Sequence, residues 1–209
     1  MKFWFDWVMS RRAANLTGRL RNWIPRRCRL ADIGSGTGHN AQHWRAQFNA
    51  NVDEFDVCDL HWTGAGPVIF DGRRIPVADA TYSIVTLLFV LQYSPQALEL
   101  LQEARRICAH RVIVFQSTYD GKWGRGWLRV RDFLWGPLAF YLARFAGMIR
   151  GYSCPLKSQT LFSRPELTQL FQQAGLTIHH WEPQEWWGLR ISRDLYILES
   201  TAIPAKCPS

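Results

Sequence analysis

Apolar residues recur at helical spacing from the start of the chain. Phe3, Trp4, Trp7, Val8, Ala14, Leu16 and Leu20 alternate with Arg11, Arg12 and Arg19. This predicts an amphipathic helix that Pro25 stops. The period then shortens. Residues 28–33 form an apolar strand running straight into Gly34-Ser35-Gly36-Thr37-Gly38, and residues 39–48 return to helical spacing. Strands are predicted at 54–60 and 67–70, a turn at 76–80, and a buried strand rich in β-branched residues at 82–91. A helix over 95–109 and a strand at 112–115 follow. Such alternation predicts an α/β fold: a doubly wound, mostly parallel seven-stranded sheet with helices on both faces and its last strand antiparallel.

The pattern changes after Phe115. Residues 119–160 are punctuated by glycine and rich in basic and aromatic side chains. They predict a helical cap insertion, with short helices at 127–133 and 138–149 on either side of Gly136-Pro137. Ser163-Arg164-Pro165-Glu166 then opens a helix with a capping box, and Gly175 closes it. Two last strands, 176–181 and 195–199, are expected to pair as an antiparallel hairpin at the sheet edge. The chain reads as one domain, 1–209. Its parts are an N-terminal helical segment (1–27), a cofactor-binding core (28–118), the cap insertion (119–160) and a C-terminal helix with edge strands (161–209).

Charge sharpens this division. Residues 1–29 carry eight Lys or Arg against the single acid Asp6, residues 30–116 carry six against nine acids, and residues 120–150 carry six against two. Basic, aromatic flanks around an acidic middle suit an anionic partner, either a phosphate backbone or an acidic membrane surface. None of the five cysteines forms a C-x-x-C pair, which points to reduced thiols in a cytoplasmic protein without structural zinc. The opening residues lack the long apolar core of a signal peptide, and no stretch is long enough to span a membrane.

The chemistry concentrates in Ala31-Asp32-Ile33-Gly34-Ser35-Gly36-Thr37-Gly38. Glycines let a ligand approach the main chain closely. The third glycine comes one residue too early for a dinucleotide fingerprint, where His39 stands instead. The nearby acid disfavours pyrophosphate and suits a ligand that carries positive charge.

With that loop the sequence resembles the class I S-adenosylmethionine-dependent methyltransferases, within the group that includes quinone and lipid methyltransferases. The resemblance runs over about residues 29–116. It implies S-adenosyl-L-methionine as cofactor, held by Asp32, Gly34, Ser35, Gly36 and Gly38 at its methionine end. The family's acid at the end of strand two, which accepts from the ribose hydroxyls, matches Asp59, with Leu60 beside it; Asp56 is the other acid near that strand end. The run Asp71-Gly72-Arg73-Arg74-Ile75-Pro76-Val77-Ala78-Asp79 matches the family's adenine segment, so Asp71 and Gly72 are assigned to the adenine. Leu88, within strand four, is assigned to the cofactor as well. Gln92-Tyr93 follows that strand, with Gln92 where many relatives carry histidine, so no catalytic base carries over to this position.

The implied reaction is in-line methyl transfer to a small, hydrophobic acceptor, needing no metal. His179 and His180, expected on opposite faces of a strand, and Tyr93, Tyr119 and Tyr152 are the remaining base candidates. The acceptor site is expected from the N-terminal helix and the cap, which also suit contact with an anionic membrane. RNA or protein methylation, a catalytically inactive cofactor- or partner-binding module, and a nicotinamide-dependent oxidoreductase stay open as alternatives.

Overall fold

The computed structural model describes residues 2–60, 66–134, 158–186 and 188–200. Helix α1 (Lys2–Leu20) leads into β1 (Arg29–Ile33), α2 (His39–Phe48), β2 (Asn51–Asp56) and β3 (Val68–Ile69). The chain continues through β4 (Tyr82–Leu88), α3 (Ala97–Ile107), β5 (Cys108–Tyr119) and α4 (Gly121–Phe133). It ends with β6 (Phe162–Ser163), α5 (Arg164–Gln173), β7 (Leu176–Trp186) and β8 (Ile191–Ser200).

Seven strands run in the order β3-β2-β1-β4-β5-β8-β7, and β6 pairs with β5 beside this path. Among the described residues the sheet therefore has eight strands rather than seven. The extra one is two residues long, too short for its periodicity to register in the sequence. Strands β1 to β5 pair in parallel, while β8 is antiparallel to both β5 and β7. The C-terminal hairpin thus stands as predicted. Its second strand lies inside the sheet, and only β7 is at the edge. Both strands are longer than the apolar pattern alone indicated, because polar residues at their ends still complete the ladder.

Two cores cover the two faces. One packs Leu100, Leu101 and Ala104 of α3 and Leu167 and Phe171 of α5 onto the sheet. The other packs Leu16 and Leu20 of α1 and Ala41 and Trp44 of α2 onto Leu30, Ile84, Ile113 and Phe115. The capping box forms as read: Ser163 accepts from the Glu166 N–H, and the Glu166 carboxylate accepts from the Ser163 N–H at 2.7 Å.

Helix α1 departs from its expected face. Ala13, Leu16, Thr17 and Leu20 are buried, whereas Phe3, Trp4, Trp7 and Ala14 are exposed. The second half of the helix is the anchor, because only it lies over the sheet. The cap helix expected at 127–133 is the C-terminal half of α4; the one at 138–149 lies outside the described residues. Cys28 and Cys108 are free thiols. Cys58 is disulfide-bonded, which corrects the reading of all five cysteines as reduced. Among the described residues, no helix is long and apolar enough to cross a membrane.

Candidate active site

Strand order reverses between β1 and β4, and the loops leaving the parallel strands open a crevice there. The glycine loop leaves β1 into this crevice. Gly34, Gly36 and Gly38 all have positive φ, at 72°, 57° and 76°. Gly34 donates to the Phe55 carbonyl at 2.7 Å, binding the loop to β2. A Cβ on Gly34 would lie 2.3 Å from Val90, so the β4 exit presses directly on the loop. A Cβ on Gly36 would meet nothing within 4 Å: this glycine borders open space. Ser35 is buried below it.

The acids take distinct places. Asp32 is buried at the end of β1 and accepts from the Thr86 hydroxyl at 2.7 Å, across the β1–β4 pair. Strand β2 ends at Asp56. The Asp56 carboxylate accepts from the Gly36 N–H at 2.9 Å and from the Val57 N–H at 2.7 Å. The acid at the strand end is therefore Asp56. Asp59 lies exposed on the following loop, close to Gly66, with half-buried Leu60 beside it.

The Asp71 segment docks alongside, since the Phe70 N–H donates to the Asp56 carbonyl at 3.0 Å. Asp71 folds back to accept from the Arg73 and Arg74 N–H groups, both at 2.9 Å. Those bonds, Arg74 first, hold its carboxyl below the usual carboxylate range. Gly72 has φ 79°, and a Cβ there would lie 3.3 Å from Val57, tight enough to need a shift. Leu88 is buried at the end of β4. All ten residues singled out from the sequence thus lie on strand ends or loops at the carboxyl ends of the parallel strands.

This set fits the cofactor that the sequence implies. Carboxylates can only accept, which suits ribose hydroxyls, an amine and a positive sulfur, and the open side of Gly36 leaves room at the loop.

One feature of the loop was not read from the sequence. His39, buried at the start of α2, bridges Thr37 Oγ1 at 2.9 Å and the Asp6 carboxylate at 2.8 Å. Helix α1 is thereby tied to the glycine loop. The only sequence signal was the lone acid in a basic segment.

Beyond β4, Gln92 is buried and accepts from Gln116 Nε2 at 2.8 Å. Its carbonyl accepts from the Gln159 and Thr160 N–H groups. Burial raises the pKa of the Tyr93 phenol, so it stays protonated at neutral pH. Tyr119 bonds to Glu166, and burial first, then the Glu166 charge, raises its phenol too. Tyr152 lies outside the described residues.

The histidine pair does not divide between two faces. A β-bulge between Ile178 and His180 breaks the alternation, and both rings lie against Trp23, at 5.9 and 4.9 Å between centroids. They sit where β7 begins and β8 ends, beside the start of β5. That is the end of the sheet opposite the glycine loop.

No curated protein sequence matches this chain. Solved structures match in fold. One is an S-adenosylmethionine-dependent methyltransferase from Aquifex aeolicus, with TM-score 0.58 and 12% identity over 90% of this chain and 89% of that one. Another is a geranyl diphosphate C-methyltransferase from Streptomyces coelicolor A3(2), with TM-score 0.60 and 12% identity over 91% of this chain and 78% of that one. A third is the [4+2]-cyclase SpnF, with TM-score 0.64 and 11% identity over 91% of this chain and 80% of that one. The family model described as a methyltransferase domain matches residues 7–181. By that match, which takes in most of the chain, the protein belongs to the methyltransferase family and is an S-adenosylmethionine-dependent methyltransferase.

Proposed function

We propose that the protein methylates a small, mainly apolar acceptor seated over the C-terminal ends of β4 and β5, between α1 and α4. The observation that carries this reading is the join between the glycine loop and the β4 exit. Gly34 packs against Val90, and Phe89 beyond it stacks edge-on with Phe115 at 4.8 Å. An apolar, aromatic floor therefore adjoins the cofactor loop.

In this reading the loop 34–38 and Asp32 hold the methionine end of the cofactor. Asp56, with Asp59 and Leu60 beside it, takes the ribose, and Asp71 and Gly72 take the adenine; Leu88 lines the base of the crevice. S-adenosylmethionine, when bound, supplies an electrophilic methyl on a positively charged sulfur. The residues at hand serve alignment and exclusion of water rather than proton removal. Gln92 is fixed by Gln116, and protonated Tyr93 is a donor.

The test is transfer of labelled methyl from S-adenosylmethionine to hydrophobic phenols, quinones and lipids, run beside RNA and protein acceptors. Transfer to small molecules is expected. Transfer only to RNA or protein would overturn the acceptor class. No turnover on any acceptor despite cofactor binding would favour an inactive cofactor-binding module.

A second reading concerns where the acceptor is met. Trp123, Trp127, Val130 and Leu134 form one exposed stripe along α4, flanked by Lys122, Arg125 and Arg129. Phe3, Trp4 and Trp7 are exposed at the start of α1. Aromatic rings between basic side chains suit the surface of an anionic membrane. Co-sedimentation with acidic vesicles at low salt is expected. Its absence would sink this reading and leave the methyltransferase unaffected.

A further inference from the structure

Three arginines from three separate elements meet beside the proposed acceptor floor. Arg12 of α1 lies over the Phe89 ring, 4.8 Å from its centroid. Arg193 of β8 lies over Trp186 at 5.0 Å, and its strand partner is Ser117 at the end of β5. Arg131 of α4 projects from the same helix side as the buried Gly124 and Leu128 and donates to Ser117 Oγ at 2.6 Å. Gly124 fixes that approach: a Cβ there would fall 2.2 Å from the Arg190 carbonyl.

Their charge is under-compensated. Asp132 pairs with Arg131 at 3.2 Å and also accepts from Ser158. Among the described residues, neither Arg12 nor Arg193 has a carboxylate within ion-pair distance, and the buried Nη1 of Arg131 has no hydrogen-bond partner. The remaining residues of the chain cannot supply an acidic side chain. Positions 1, 61–65, 135–157, 187 and 201–209 contain no Asp or Glu. Burial, with the charges of Arg131 and Arg12 added, pushes Arg193 down to about 10. Like charges gathered at a partly buried site are costly unless an anion joins them.

We infer that the acceptor carries an anionic group, a carboxylate or phosphate, held by Arg12, Arg131 and Arg193. This inference rests on the reading of this edge as the acceptor site. Guanidinium forks match both anions in geometry. The aromatic floor beside them would receive the apolar part of the same molecule, so the acceptor is an amphiphile with one charged end.

The test uses the full chain saturated with S-adenosylhomocysteine, titrated by calorimetry with decanoate, decyl phosphate, decanol and inorganic phosphate. One or both charged amphiphiles are expected to bind about tenfold or more tighter than decanol. R131Q and R193Q should each remove most of that preference. R26Q, an exposed change elsewhere, should leave it intact. Arg12 stands on α1 outside both core clusters, so R12Q carries the test where an inner substitution unfolds the chain. Competition by inorganic phosphate would identify the headgroup alone as sufficient; binding of decyl phosphate without such competition would identify a tailed phosphate, and either supports the inference. Equal binding of decanol and both anions, or a preference that survives all three substitutions, overturns it. Methyl transfer to an uncharged phenol that R12Q, R131Q and R193Q leave unchanged would also overturn it, while keeping the acceptor site. Arginine-dependent anion binding without methyl transfer to any acceptor would instead overturn the acceptor reading and leave the anion site standing.

Discussion

Nε2 of His39 lies 2.8 Å from the carboxylate of Asp6, joining the first helix of the chain to the residue that follows the glycine loop. A carboxylate only accepts, so Nε2 donates to Asp6, while Nδ1 shares a second hydrogen bond with the Thr37 hydroxyl. The bond lets α1 set the position of the cofactor loop. D6A should therefore lower affinity for S-adenosylhomocysteine by about three- to tenfold while barely moving Tm, because Asp6 itself is mostly exposed. Unchanged affinity by calorimetry would show that α1 plays no part in loop position.

Asp56 and Asp59 should separate in the same assay. Asp56 is buried and caps the N–H groups of Gly36 and Val57, whereas Asp59 is exposed. D56N turns one of the two accepting oxygens into a donor, which then faces either the Gly36 or the Val57 N–H, and should cost about 1–3 kcal/mol of stability. It should also weaken cofactor binding by about tenfold or more. D59N should leave Tm intact and have the smaller effect on affinity. A larger affinity loss in D59N would return the ribose role to that residue alone.

The two loop glycines make opposite demands. G34A drives a Cβ into Val90 and should destabilise by about 1–3 kcal/mol beyond the cost of its positive φ. V90A in the same chain should recover part of that loss. G36A meets no atom, so only the backbone cost of about 1 kcal/mol applies to folding. Its loss should appear in cofactor affinity. Equal Tm values for the two single variants would contradict the packing described.

Glu103 sets an acid limit on stability. Burial alone would raise its pKa, but hydrogen bonds from Arg106 and from the Ile75 N–H outweigh burial and lower it. A carboxyl lowered on folding contributes fully above its ordinary value, 4.5, and loses that contribution as the pH falls through the folded value. Urea denaturation should show wild-type stability falling below about pH 4.5 more steeply than that of E103Q. E103Q should be the less stable protein at pH 7. Parallel curves would exclude Glu103 as a contributor.

Much of this molecule follows from local sequence. Alternating periods of two and 3.6 residues mark most elements, because each must bury one face. The loop at 34–38 is legible because few residues other than glycine tolerate its backbone angles. The capping box at Ser163 and Glu166 is legible because its partners lie three residues apart. Tertiary structure decided what depends on residues far apart in the chain. It placed β8 inside the sheet, since ladder partners such as Val114 and Tyr196 carry no local mark of each other. It set the end of β2 at Asp56, turned the aromatic start of α1 outward, and left His179 and His180 at the start of β7, away from the crevice. It also brought Arg12, Arg131 and Arg193 together from three elements. Each is one more basic residue in the sequence, and their charges reinforce one another only where the fold holds them side by side.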